Sequence, residues 1–203
     1  MLLALLLITG IVVCAAEDDA RQAKSQPLPP PNLEGKMPLE QAIAKRRSVR
    51  EFANTAVTLP ELGQLCWAGQ GITDPDHGYR ASPSAGATFP IELLVVSHEG
   101  VDHYQPKDHS LARVLTGDYR RILGEAGLGQ KAFTSAPVSI IITAVIERTA
   151  GKYRDRAERY CVLEAGHVAQ NILLQATSLD LAGVPMGGFD DVKVGKALNL
   201  PAG

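Results

Sequence analysis

The chain has 203 residues, 45% of them hydrophobic, and a formal net charge of -2. That length buries one substantial core and sets one domain, with or without an appended terminus, as the expectation. The slightly acidic balance excludes nucleic acid as the main partner, because binding a phosphate backbone needs a broad basic surface.

Residues Met1 to Val13 (MLLALLLITGIVV) are almost wholly apolar, and Cys14, Ala15 and Ala16 follow ahead of Glu17, Asp18 and Asp19. The run is shorter than the roughly 20 residues of a comfortable membrane span, and residues 1–16 read as a signal peptide or N-terminal anchor. Only the α-amine supplies positive charge ahead of it. Cleavage near Ala16 and retention as a membrane tether are the competing outcomes; lipidation at Cys14 is disfavoured by the bulk of Val13. On this pattern the protein is expected to be exported or membrane-anchored rather than cytoplasmic. Residues 17–37 carry charges, Gln and the run Pro27-Leu28-Pro29-Pro30-Pro31, which favours an extended tether. The folded domain is expected at 38–203.

From Pro38 to Arg47, Leu39, Ala42 and Ile43 recur at helical spacing and deliver a cation cluster at the helix end. Thr58-Leu59-Pro60-Glu61 has the form of a capping box, and it predicts a helix over Leu59 to Ala68 that Gly69 and Gly71 stop. Ile91 to Ser97 reads as a buried strand, returned by Val101 to Tyr104, and Pro137 to Val145 as a central strand. His109 to Leu115 and Asp118 to Glu125 read as short helices. Arg154 to Leu179 is the longest helical pattern, apolar around most of its circumference, so a large core or a subunit interface must cover it. Cys66 and Cys161 sit in apolar helical contexts and read as free and buried. Helices mixed with few, irregularly spaced strands predict an α+β fold.

Four constellations could carry chemistry. Arg46, Ser48 and Arg50 alternate at i, i+2, i+4, which aligns them if the chain is extended there. Two guanidiniums around a hydroxyl suit a phosphate, whereas a solvated helix end is the plainer reading. Ala81 to Pro90 (ASPSAGATFP) is a small-residue loop that would let backbone approach a flat ligand, with Ser84 able to hydrogen-bond to it. Gly183 to Asp190 contains Gly187 and Gly188, whose N–H groups could face an acceptor, although taken alone it is a turn. Glu164 and His167 resemble half of a di-metal motif without its second copy, so with Asn171 they read as a polar stripe and no metal site is expected.

In order, RRSVREF, SPSAGATFPIELLVV, HYQPKDHSL, AGHVAQNILLQATSLDL and GVPMGGF resemble the FMN-dependent nitroreductase family, especially its branch of azoline dehydrogenases from thiazole/oxazole peptide maturation. The resemblance runs from Leu39 to the C-terminus. It implies a mostly antiparallel sheet flanked by helices, an intertwined homodimer built on the long helix, and FMN at the subunit interface. Arg46, Ser48 and Arg50 match the residues holding the flavin's phosphate and ribityl or pyrimidine edge. Pro83, Ser84, Ala85 and Gly86 match the loop packing against the isoalloxazine, in this family from the partner subunit. Gly187 and Gly188 match the turn near flavin N5. Family chains usually continue past the equivalent of Leu200-Pro201 into a strand that crosses to the partner, often adding a basic phosphate contact, so the resemblance implies either a site with fewer cations or a truncated form that binds FMN weakly.

The implied function is hydride transfer through flavin N5. It would be nitro or quinone reduction fed by NAD(P)H if the domain faces the cytosol, or dehydrogenation of a small or peptidic substrate if it is exported. No obligatory side-chain acid or base is expected, with Tyr104, His103 and His109 the titratable groups to test. The alternatives are a non-catalytic flavin- or ligand-binding homodimer that retains the fold, and a tethered structural dimer without cofactor.

Overall fold

The computed structural model describes residues 3–13 by their backbone and residues 25–200 in full. Strands β1 (Leu3–Val13) and β2 (Ser25–Pro27) come first, followed by helices α1 (Leu39–Lys45) and α2 (Leu59–Gln70). The pair β3 (Ile72–Asp74) and β4 (Tyr79–Arg80) leads through a 3-10 turn at Ala85–Ala87 into β5 (Ile91–Val96). Next are β6 (Gly100–Gln105), β7 (Ser110–Thr116), α3 (Arg120–Ala126), α4 (Lys131–Ser135), β8 (Val138–Ala144) and α5 (Ile146–Tyr153). A second 3-10 turn, Arg154–Arg156, precedes the long α6 (Ala157–Ser178), then β9 (Leu181–Met186) and α7 (Asp191–Ala197).

Seven strands form one sheet in the order β2-β7-β6-β5-β8-β1-β9. The first five are antiparallel neighbours, and β1 runs parallel to both β8 and β9. The α+β, mostly antiparallel architecture is therefore present. Alternation divides each central strand between two faces. Leu93, Val95, Ile140 and Ile142 meet α2 and α6 on one face, while Leu94, Val96 and Ile141 meet α3, α4 and α7 on the other. Covering on both sides explains why every residue of β8 is buried, Ser139 and Thr143 included. The stripe Cys161, Val168, Ile172 and Ala176 fixes α6 to the sheet. Its other side, at Val162, Leu163, Gly166 and His167, is exposed in the single chain, so α6 is not buried all round.

The capping box forms as expected: Glu61 N–H donates to Thr58 Oγ1, while Thr58 N–H donates to Glu61 Oε2 at 2.7 Å. Elsewhere the structure differs from the sequence reading. Residues 110–116 are a strand rather than a helix, because a four-residue loop after β6 returns the chain antiparallel along it, Gln105 opposite Ser110. A strand, β9, directly precedes Gly187, and its Pro185 is accommodated there with its side chain exposed. The helices α4 and α5 have no counterpart among the elements expected from sequence.

Leu3–Val13, read as part of a leader, is paired on both edges in this structure, Ile8 lying between Ile141 and Met186. The cleavage site at Ala16 and the lipidation candidate Cys14 lie outside the described residues. The proline run lies along the domain instead of projecting from it. Leu28 is buried, Asn32 N–H donates to Gln64 Oε1 at 2.8 Å, and the Pro29 carbonyl accepts from His109 Nε2 at 2.9 Å.

Ile172 has no exposed surface. Replacing it with Ala should lower unfolding free energy by about 2–5 kcal/mol through lost burial and an unfilled cavity, measurable by urea denaturation.

Candidate functional site

Beyond α1 the backbone becomes extended, and residues 46–50 run along the outer edge of β9. Ser48 bridges Gly183 in parallel, and Val49 N–H donates to the Gly183 carbonyl at 3.1 Å. Extended geometry puts Arg46, Ser48 and Arg50 on one side and Arg47 on the other. Arg47 Nη1 is engaged locally, donating to the carbonyls of Ala44 at 3.0 Å and Arg46 at 2.7 Å. The guanidiniums of Arg46 and Arg50 have no partner among the described residues. At its C-terminal end β9 delivers Gly187 and Gly188, both exposed, to the same region. The Gly188 carbonyl accepts from Gln130 Nε2 at 2.8 Å, and a methyl built on Gly188 would meet only that nitrogen, at 3.8 Å. The backbone there is open to a flat ligand.

The small-residue loop is held from behind by α5 and α6. Asn171 Nδ2 donates to Ser82 Oγ at 3.1 Å, Phe89 N–H to Ser84 Oγ at 2.9 Å, and Arg148 Nη1 to the Phe89 carbonyl at 3.1 Å. Thr88 Oγ1 donates to the Ala85 carbonyl at 3.0 Å and so receives the Thr149 hydroxyl, at 2.9 Å. Gly86, Ala87 and Phe89 all have positive φ, 62°, 55° and 45°. Two non-glycine residues in that region store strain that only a well-anchored loop sustains. Pro83 and Gly86 are exposed, whereas Ser84 points inward to Phe89 N–H and the Glu164 carboxyl, away from the face on which its sequence role was assigned.

At Gly86 a built methyl would stand 2.7 Å from Lys152 Nζ and 2.8 Å from Tyr153 Oη. The end of α5 therefore lays an ammonium and a phenol against the loop. Sequence reasoning missed both; the signal was Gly151-Lys152-Tyr153 directly before the long helix. It also missed the buried charges behind the loop, although Arg80 and Glu92 flank the small residues in sequence. Arg80 Nη1 donates to Gln70 Oε1 at 2.7 Å, and its guanidinium lies over the Phe89 ring at 5.0 Å. Burial would raise the Glu92 carboxyl, but the hydrogen bond from His103 and the Arg148 guanidinium outweigh it and hold the group below the usual range. Glu164 is the reverse case. Only 2% exposed, with no hydrogen-bond partner for Oε1 among the described residues, its carboxyl is pushed up to about 7 by burial, against the Ser84 hydroxyl and the Arg80 charge.

His167, three residues on, faces solvent, so the Glu164-x-x-His167 pair diverges. Tyr104 is buried in the core and donates to His109 Nδ1 at 2.9 Å; since His109 Nε2 must donate to a carbonyl, that tautomer is fixed. His103 is bound to Glu92 at 2.8 Å. All three serve packing and the loop's foundations. Cys66 and Cys161 are free and buried, as expected.

In one chain these residues form two separate groups. The Arg46–Arg50 stretch and Gly187–Gly188 border β9, and the 83–86 loop borders the start of β5, with β8 and β1 between them. Three strand spacings make about 14 Å. A cavity of about 610 Å³, lined by Val57, Leu62, Val95, Leu111 and Arg113, contains none of these residues.

Comparison with known proteins supplies the frame for this geometry. The sequence profile of the Nitroreductase family matches residues 43–203. A nitroreductase homologue of Methanocaldococcus jannaschii is 42% identical over 176 residues, which cover 84% of this chain and 88% of that protein. The microcin B17-processing protein McbC of Escherichia coli is 28% identical over 138 residues, 63% of this chain and 51% of McbC, so the match spans about half of that relative. A crystal structure of a nitroreductase homologue from Ralstonia eutropha superposes with a TM-score of 0.79 at 26% identity, covering 96% of this chain and 90% of that one.

The Glu164 environment predicts a stability effect. A carboxyl raised from 4.5 to about 7 binds its proton more tightly in the folded state, so its contribution is complete below pH 4.5 and is lost as pH rises through 7. Relative to Glu164→Gln, the wild type should lose on the order of 3 kcal/mol between pH 4.5 and 8, read as diverging melting temperatures.

Proposed function

The chain belongs to the nitroreductase family, and from that premise we propose that it is an FMN-dependent oxidoreductase whose site is completed by a second copy of the chain. The carrying observation is the pairing of two incomplete groups: guanidiniums without a partner among the described residues beside an open glycine turn, and a rigid small-residue shelf with Lys152 and Tyr153 on it. They fit the parts of FMN, anionic at one end and flat at the other. Arg46 and Arg50 offer planar donor forks to the phosphate, Ser48 adds a hydroxyl, and the Gly187–Gly188 turn lets backbone N–H groups approach the ring. Bound FMN supplies two-electron chemistry at N5. The chain's residues bind and orient it, and Lys152 and Tyr153 hold or accept the proton that accompanies the hydride.

A second copy is supported by α6. Its exposed side carries Val162 and Leu163, each about half exposed (52% and 51%), with Gly166 between helical turns and no atom near its built methyl. A mid-helix glycine costs about 1 kcal/mol, which close approach of a partner helix would offset. The substrate is a nitro or quinone acceptor with NAD(P)H as donor, or, for an exported chain, a small or peptidic molecule that gives up hydride. A proton-moving pair beside the shelf favours the dehydrogenase. Export or anchoring through residues 1–16 is the second part of this proposal; it would withdraw β1 from its place between β8 and β9, and the intact mass of the protein recovered from each cell fraction tests it.

Purified full-length chain titrated with FMN should bind one flavin per chain, and anaerobic addition of NADPH or substrate should bleach it; no flavin spectrum would overturn the assignment. Arg50→Ala should weaken FMN binding at least about tenfold, as expected for loss of a charge-assisted hydrogen bond. Arg47→Ala should change it less than about twofold, because Arg47 is engaged by backbone. Lys152→Ala and Tyr153→Phe should lower turnover with FMN still bound. Leu163→Glu should convert the dimer to monomers by light scattering and lose flavin with them.

A further inference from the structure

We propose that helix α5 is a rigid bracket between the small-residue loop and the Lys152–Tyr153 pair, with Arg148 and Thr149 as the positioning residues that hold the ammonium and the phenol in place on the loop. The inference rests on the FMN-binding reading above. Three successive residues at the end of the loop are each bonded to the first turn of α5 or to the residue before it. Val145 N–H donates to the Pro90 carbonyl at 2.8 Å, Arg148 Nη1 donates to the Phe89 carbonyl at 3.1 Å, and Thr149 Oγ1 meets Thr88 Oγ1 at 2.9 Å. Neither side-chain contact stands alone. Arg148 Nη1 also donates to the Glu92 carboxylate, which His103 Nε2 holds at 2.8 Å, so β5 and β6 back that end. Thr149 has no exposed surface and receives the Cys161 thiol of α6 at 3.7 Å. Since Thr88 gives its hydrogen to the Ala85 carbonyl, donation runs one way, from Cys161 through Thr149 and Thr88 to Ala85.

Helix geometry carries this grip to the pair. Lys152 follows Arg148, and Tyr153 follows Thr149, at i+4, one turn further along the same face. The face that binds the loop with its first turn therefore lays the ammonium and the phenol beside Gly86 with its last, 2.7 and 2.8 Å from a methyl built there. The far end is fixed as well. Tyr153 packs edge to face on Tyr160 of α6, with ring centroids 4.8 Å apart, and Lys152 Nζ lies over the Tyr153 ring at 5.8 Å. The chain then turns sharply at Arg154, whose φ of 50° and ψ of -122° form a glycine-like conformation that only fixed surroundings sustain. Loop and pair thus move as one body, and the place of the pair on the loop is set by backbone rather than by side-chain freedom.

NMR of the full-length protein without flavin tests this. The wild type should show contacts from the Gly86 α-protons to the Tyr153 ring and the Lys152 side chain, and slow hydrogen exchange at the Ala87, Thr88 and Phe89 amides, which are bonded within the loop. Thr149→Val, which keeps the shape and removes the hydroxyl, should lose those contacts and speed exchange at these amides about tenfold, the worth of one hydrogen bond, with the core amides of α6 unchanged. Thr149→Ser should restore both, and Arg148→Lys should keep them better than Arg148→Met. With FMN bound, NADPH should bleach Thr149→Val more slowly than wild type. The double variant with Lys152→Ala should be no slower than Lys152→Ala alone, because the hydroxyl acts through that side chain. Unchanged contacts in Thr149→Val, their loss in Thr149→Ser as well, or slowing that multiplies in the double variant overturns the proposal while leaving FMN binding intact. Should NADPH not reduce the wild type, the NMR contacts alone decide. Failure of the wild type to bind FMN overturns the cofactor reading, and with it any role of the bracket in the reaction, whatever the NMR contacts. If Thr149→Val does not fold, Thr88→Val breaks the same contact from the loop side and decides.

Discussion

Helix α6 presses a stripe of small and branched residues, Ala157, Cys161, Ala165, Val168, Ala169, Ile172 and Ala176, against the sheet, and that contact determines where the polar groups can go. Because the stripe is narrow and close-packed, Glu164 and Asn171 at its margin are carried into the space behind the 82–89 loop. The opposite margin is left facing outward. One helix therefore supports the loop from behind and presents the surface proposed for a second subunit, so the proposed site and the proposed assembly share a single structural element.

The loop shows how such a margin is used. Positive φ at Ala87 and Phe89 is unfavourable by itself, and side chains from two helices offset it with hydrogen bonds from Arg148, Thr149 and Asn171 and the buried acid at Glu164. Their number makes the loop a rigid surface rather than a mobile one. Rigidity matters for a flat ligand, since a shelf that had to order itself on binding would give up affinity to conformational entropy.

Much of the fold was legible because some signals are local. Thr58 and Glu61 announce a helix start through two short-range bonds, and the β-branched run at 138–144 has few uses other than a doubly covered strand. Residues 110–116 were misread because Leu and Ala suit a helix, and only the neighbouring β6 makes them a strand. Pro185 and Gly183 hid β9 for a similar reason: pairing with β1, not propensity, defines it. At the site, the arginines and small residues were visible as composition. Lys152 and Tyr153 were not, because their relation to Gly86 exists only after α5 has turned the chain back on the loop. Glu164 was visible as a letter, but its burial and missing partner are tertiary facts.

Gly86 has a consequence for anyone engineering this protein. Replacing glycine with alanine commonly stabilises a fold by restricting the unfolded chain, and Gly151, in a helix with open space around it, is an ordinary candidate for that gain. At Gly86 the same substitution would meet a left-handed backbone and the side chains of Lys152 and Tyr153 at once. The flatness of the shelf is thus written as a missing methyl group, and thermostability sought through loop glycines would erase it.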